Sequence, residues 1–212
     1  MDREIRALCI RTTDYRETDK LITLISVEEG KITATAKGVR KPASKLKTAC
    51  MPLSFGEYSL SNGRGGEILT GAAIEENFFH CWNDVEKNLS AMLTLELLDK
   101  ICPPGADSKK ELVAALKALK EINYGKVKPL AVCSWFMAVV LNKFLGDDFL
   151  SLPFEKDRLM LKALSDMEPE EVTVLESDEE LFNIICVLNS VFCDSGIRLK
   201  LLDSLKKYLL NK

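Results

Sequence analysis

Seven residues, Lys31-Ile32-Thr33-Ala34-Thr35-Ala36-Lys37, constrain this chain most. Ile32, Ala34 and Ala36 fall on one side of an extended strand, and Lys31, Thr33, Thr35 and Lys37 on the other. Side chains of a strand alternate between its faces, so this is a strand with one apolar and one polar face. The apolar face is built from small residues, as the interior of a narrow barrel requires. Upstream, Lys20–Val27 is a second β-rich run, joined to the first by Glu28-Glu29-Gly30. This reads as a hairpin whose glycine takes positive φ. Leu53–Leu60 and Glu67–Ile74 form a further hairpin around Ser61-Asn62-Gly63-Arg64-Gly65-Gly66, and Glu4–Thr12 supplies a fifth strand. Five short strands are the number in an OB-fold barrel.

Beyond residue 76 the apolar period changes to that of a helix. Asp84–Ile101 carries Leu89, Met92, Leu93, Leu95, Leu97 and Leu98 and is stopped by Pro103-Pro104-Gly105. Glu111–Ile122 places Leu112, Ala115, Leu116 and Leu119 on one stripe. Pro129 can open a third helix and Gly146 can close it. That helix is apolar nearly all round, as the centre of a helical domain would be. Its run Leu130–Leu141 is too short for a membrane span, which needs roughly 20 residues. Ser177 and Glu180 have capping-box spacing before a helix ending near Cys193, and a last helix runs about Lys200–Leu210. Glu168–Glu180 is acidic and reads as a solvated loop and helix start. The expectation is an α+β chain: an OB-fold over residues 1–76, then an all-helical domain over 77–212.

The charge is divided in the same way. Residues 1–75 hold 12 Lys/Arg against 10 Asp/Glu, whereas the remaining 137 hold 17 against 22. Within Lys31–Lys47, the cations Lys31, Lys37, Arg40, Lys41, Lys45 and Lys47 occur with no acidic residue. A strand end and its following loop would gather them at one barrel rim, with Arg64 of the second hairpin as a further cation. Such a rim can neutralise phosphates and release their counterions. The competing reading is a solvated basic loop, since short basic runs are common on surfaces. The aromatics of this half are Tyr15, Phe55 and Tyr58. Phe55 and Tyr58 have opposite parity on their strand, so at most one faces outward, and packing of both is the simpler reading. Nucleic-acid binding here would then rest on backbone charge rather than base stacking.

Catalytic patterns are missing. Gly63-Arg64-Gly65-Gly66 has no following Gly-Lys-Ser/Thr and sits in a hairpin, so it is no nucleotide phosphate loop. His80 beside Cys81 lacks the spatial arrangement of a nucleophile–base pair. Glu75-Glu76 and Asp147-Asp148 read as caps and solvated turns. The seven cysteines are an odd number scattered through apolar runs, with no signal-peptide pattern ahead of them. They are expected to be reduced core residues in a cytoplasmic protein with no cofactor.

The residues also resemble a family. Asp14-Tyr15-Arg16-Glu17-Thr18-Asp19-Lys20-Leu21-Ile22-Thr23-Leu24, Glu29-Gly30-Lys31-Ile32, Ala34-Thr35-Ala36-Lys37-Gly38-Val39-Arg40-Lys41, Ser44-Lys45-Leu46 and Pro52-Leu53 look like the start of RecO proteins. Ser195-Gly196-Ile197-Arg198-Leu199-Lys200 resembles a short RecO segment before the final helix. The resemblance covers roughly residues 4–75 and this late segment, and the middle matches only as a run of helices. It implies an OB-fold followed by a helical domain, binding of single- and double-stranded DNA, strand annealing, and help in loading RecA recombinase at gaps. The partners it implies are RecR and the C-terminal tail of single-strand DNA-binding protein, with no membrane and no catalysis.

Two departures from the family matter. Met51 stands where many relatives have Gln, and no Cys-x-x-Cys motif occurs, whereas many relatives pair two such motifs in the helical domain. A structural zinc takes about four close Cys/His ligands, so none is expected here. For a peptide tail ending in a carboxylate, Trp135, Phe136, Lys143 and Phe144 on the central helix are the candidates, although plain core packing is the better explanation of the aromatics on so apolar a helix. The rival readings are an enzyme accessory with an OB domain, which would need a nucleophile or metal cluster, and an adaptor whose OB face binds protein rather than DNA.

Overall fold

A computed structural model describes residues 2–146, 155–174 and 177–210. Five strands, β1 (Arg3–Tyr15), β2 (Asp19–Ser26), β3 (Gly30–Ala36), β4 (Phe55–Gly63) and β5 (Gly66–Glu76), form a closed barrel in the order β1-β2-β3-β5-β4. This is the five-stranded Greek-key barrel of the OB-fold. Closure needs one strand to pair on both sides. β1 meets β4 through Arg3–Leu8 and β2 through Ala7–Tyr15, and a bulge between Cys9 and Arg11 lets the long strand turn between them. β3 and β5 complete the ring with a short parallel pairing at Ala34–Glu67 and Thr35–Ile68.

The alternation in β3 is realised: Ile32, Ala34 and Ala36 are buried, while Thr33 is exposed and Lys31 and Thr35 are half-buried. Ala34 lies opposite Ile22, and Ile32 opposite Leu24, so the barrel interior alternates small and large residues across the ladder. Ile5, Cys9, Tyr58, Leu60 and Leu69 fill the rest. Gly30 takes φ +70° as the hairpin demands, and a second constraint acts there. A Cβ on Gly30 would lie 1.9 Å from the Ala106 carbonyl oxygen. Residues 98–113 therefore pack on the barrel, and the chain divides into two compact units, Met1–Phe78 with Leu98–Val113, and Phe79–Leu97 with the remainder. The division expected at residue 76 does not separate the segment that returns to the barrel.

Among the described residues six α-helices follow: α1 (Val85–Ile101), α2 (Lys109–Tyr124), α3 (Pro129–Leu145), α4 (Glu155–Ser165), α5 (Asp178–Asp194) and α6 (Leu201–Leu210). In the second unit α3 is the centre, packed by α4 and α5. Leu130 through Ala138 are buried without interruption. Gly146 closes α3 at φ +51°, and the Ser177 side chain accepts the Glu180 N–H at the start of α5. The Glu96 carboxylate accepts the N–H groups of Lys200 and Leu201 at 2.7 and 3.0 Å, satisfying orphan donors at the start of α6. The sequence pattern shows neither α4 nor the 3-10 turn Pro169–Val174, in which Val172 is buried within what reads as a solvated loop. The paired Asp147-Asp148 lie outside the described residues. No helix among the described residues is long and apolar enough to cross a membrane.

Candidate nucleic-acid interface

The candidate surface begins at the turn after β1. Arg16 sits there with φ +54°, and its guanidinium lies over the Tyr15 ring, 5.0 Å from the centroid. The β4–β5 hairpin is tight: Gly63 pairs with Gly66, so Arg64 and Gly65 alone form the turn. Between these two turns, on the outer face of β3, lies a cleft of about 240 Å³ lined by Tyr15, Arg16, Thr35, Lys37, Arg64 and Ile68, among others. Lys37 and Arg64 approach from different hairpins because β3 runs beside β5 at Thr35–Ile68. This is the position, on the β2–β3 face between the first and last hairpin loops, at which OB-folds hold oligonucleotides.

The segment from Lys37 to Ser54 is a chain of tight turns rather than a free loop. The Lys41 N–H donates to the Gly38 carbonyl and the Ser44 N–H to the Lys41 carbonyl, each at 3.1 Å. Val39, Ala49 and Cys50 are tucked into the barrel core. The buried Tyr58 hydroxyl lies 3.0 Å from the Ala49 and Ser54 carbonyl oxygens and fastens the far end. Burial pushes the Tyr58 phenol far above its ordinary value, so it stays a donor. At the near end, the Asp19 carboxylate accepts the Gly38 N–H at 2.8 Å and the Thr18 hydroxyl at 3.1 Å. The Gly38 bond, more than the neighbouring cations, holds Asp19 below its usual carboxylate value.

Lys37, Arg40, Lys41, Lys45, Lys47 and Arg64 are all exposed. Among the described residues, Lys37, Lys41, Lys45 and Arg64 make no ion pair, whereas Arg40 lies 3.5 Å from Asp14 and the Lys47 ammonium donates to the Pro42 carbonyl at 2.9 Å. Lys31 stands apart. It is the second residue of β3 and Lys37 follows the strand's end, so six residue steps, roughly 20 Å at 3.3 Å per residue, separate them. Its ammonium is half-buried and donates to Asp99, at 2.5 Å to the carbonyl and 3.0 Å to the carboxylate, and Arg11 also lies 3.4 Å from that carboxylate. The basic run thus splits between two ends of the barrel. Arg16 and Lys20 are additions to the site. They are masked in sequence by Asp14, Glu17 and Asp19, of which Asp19 is engaged by backbone.

The aromatics divide as their parity requires. Tyr58 is core, while Phe55 is half-buried beneath the Arg6 guanidinium, 5.3 Å from the ring centroid. Trp135 and Phe136 are buried in α3, with the Trp135 indole N–H donating to the Met167 carbonyl at 2.7 Å. Of the four tail candidates, Lys143 and Phe144 are exposed. No disulfide joins the cysteines: Cys9, Cys50, Cys81, Cys102 and Cys133 are buried, Cys186 is half-buried and Cys193 is exposed, so the last is no core residue. Among the described residues, no three His, Cys, Asp or Glu side chains are grouped to hold a metal.

Residues 1–78 match the family model described as recombination protein O N terminal. A DNA repair protein RecO from Syntrophomonas wolfei is 30% identical over 163 residues, 76% of this chain and 65% of that relative. Residues 1–78 are a RecO N-terminal domain. Two further RecO relatives, also named DNA repair proteins, come from Desulfitobacterium hafniense and Clostridium perfringens. They are 40% and 38% identical over 99 and 96 residues, covering 47% and 45% of this chain but 36% and 39% of their own lengths. The chain thus spans less than two thirds of the RecO relatives it matches. The matched N-terminal region is the barrel that carries the cleft between the first and last hairpins.

Proposed function

We propose that this chain is a DNA-binding recombination mediator in DNA repair and has no catalytic site of its own. On this reading the barrel holds the phosphate backbone of single- and double-stranded DNA with Arg16, Lys37, Arg40, Lys41, Lys45, Lys47 and Arg64. The cleft between Arg16, Lys37 and Arg64 carries the proposal: three cations from three chain segments converge where an OB-fold takes its ligand. The naming of the relatives as DNA repair proteins supports the same role.

The finer steps are strand annealing and assistance in RecA loading at gaps, with RecR and the single-strand DNA-binding protein tail as partners, in a cytoplasmic, nucleoid-associated setting. The helical residues 77–212 would supply partner docking, with Lys143 and Phe144 the solvent-facing part of that surface. Titration with a single-stranded oligonucleotide at several salt concentrations tests the reading. Log affinity should fall with log salt at roughly −0.7 per phosphate neutralised. Binding absent at low salt would leave the barrel a protein-binding adaptor.

A further inference from the structure

A second cleft, of about 330 Å³, lies on the same barrel. It is lined by Lys20 at the start of β2, Val39 and Arg40 after β3, and Lys47, Cys50 and Met51 before β4. Its floor is apolar, with Val39 and Cys50 belonging to the barrel core. Met51 is the exception: 44% of its surface is open to solvent, although Cys50 and Leu53 beside it are buried. Burial pushes the Cys50 thiol up to about 11, so the floor carries no charge near neutrality. The rim is cationic. Lys20 and Arg40 both lie against the Asp14 carboxylate, at 3.9 and 3.5 Å, so an anion already fits between them. That carboxylate is itself exposed, and exposed pairs of this kind contribute little, so a phosphate can displace it. Lys47 is pre-oriented by its bond to the Pro42 carbonyl.

We propose that this second cleft seats one unstacked nucleotide of a DNA single strand, its base on Met51 and its phosphate among Lys20, Arg40 and Lys47. The proposal rests on the DNA-binding reading above and adds a strand preference to it. The volume stands at the low end of the roughly 300–1,000 Å³ of ligand pockets, room for one base but not a base pair. A thioether edge against an aromatic ring is a favourable contact. The Arg40 guanidinium donates to the Arg16 carbonyl at 3.5 Å, so a strand leaving the first cleft meets the second directly. A duplex keeps its bases stacked inside and reaches the rim cations alone, so Met51 acts on single strands.

The test compares the intact chain with Met51→Ala and Met51→Leu, using a short oligothymidylate and a mixed-sequence duplex of equal length. Met51→Ala should weaken oligothymidylate binding by about threefold to tenfold, leave the duplex within about twofold, and be repaired by Met51→Leu. Unchanged oligothymidylate binding, or an equal loss for both DNAs, overturns the pocket while leaving DNA binding intact. A wild-type chain that binds neither DNA overturns the DNA-binding reading and this proposal with it.

Discussion

The Asp19 carboxylate accepts the Gly38 backbone N–H at 2.8 Å, joining the first residue of β2 to the second residue beyond β3. The bond fixes where the chain leaves the barrel, and the Arg40 N–H reinforces it by donating to the Thr18 carbonyl at 2.9 Å. Lys37, Arg40 and Lys41 therefore leave a held backbone.

Asp19→Ala separates position from charge. Removing a carboxylate beside the basic rim would raise DNA affinity if charge alone mattered. Loss of the Gly38 anchor should instead lower it by about threefold to tenfold. Fluorescence anisotropy with a labelled single strand gives the sign directly, and tighter binding would show that the anchor is irrelevant. The pH dependence follows from the depressed carboxylate. Its contribution is complete above the unfolded value near 3.8 and is lost as pH falls through the lower folded value. The anchor therefore holds throughout the neutral range.

Lys31 and Lys37 should behave oppositely despite flanking one strand. Lys31→Ala leaves Asp99 with Arg11 alone in a half-buried setting and should cost about 1–2 kcal/mol of stability, between the exposed and buried extremes for ion pairs. DNA affinity should stay within about twofold, because Lys31 lies at the other end of β3 from the rim. Lys37→Ala should leave the denaturation midpoint unchanged and weaken DNA binding. Urea melts paired with binding titrations check both, and a Lys31 variant that is stable but fails to bind DNA would restore it to the site.

The thiols give a third expectation. In the native chain a maleimide should label Cys193 first and Cys186 more slowly, while the five buried cysteines react only on denaturation. Burial pushes Cys9 and Cys133 up to about 12. Their neutral form is favoured by folding, so their contribution is complete below the ordinary thiol value near 9.0 and is lost as pH rises toward 12. Mass spectrometry after timed labelling counts the modified sites, and rapid native labelling of Cys9 would contradict the packed barrel.

How much of the fold and the site is legible in the sequence depends on range. The inward face of β3 and the turn at Gly30 are local patterns, and Ile32, Ala34, Ala36 and the positive φ follow from them. The ends of α3 follow from Pro129 and Gly146 in the same way. Lys31 falls in with Lys37 on the sequence alone, because adjacency along the chain hides a strand's length. Its partner Asp99 lies 68 residues away, and no local signal joins them. Arg16 and Arg64 are far apart in sequence and meet at one cleft only because the barrel closes. Trp135 and Phe136 illustrate the reverse: an apolar helix cannot reveal from its own residues which side its neighbours cover.

Binding of the DNA backbone by the exposed rim cations underlies the affinity expectations above. It is tested by the salt dependence of single-strand affinity for the intact chain and for Lys37→Glu/Arg40→Glu/Lys41→Glu, with circular dichroism confirming that both are folded. The triple variant should bind at least about tenfold more weakly at low salt. Its slope of log affinity against log salt should be shallower by about 2, since three phosphates go unneutralised at roughly 0.7 each. A folded triple variant with affinity within about twofold of the wild type and an unchanged slope would contradict the assignment of the rim to DNA.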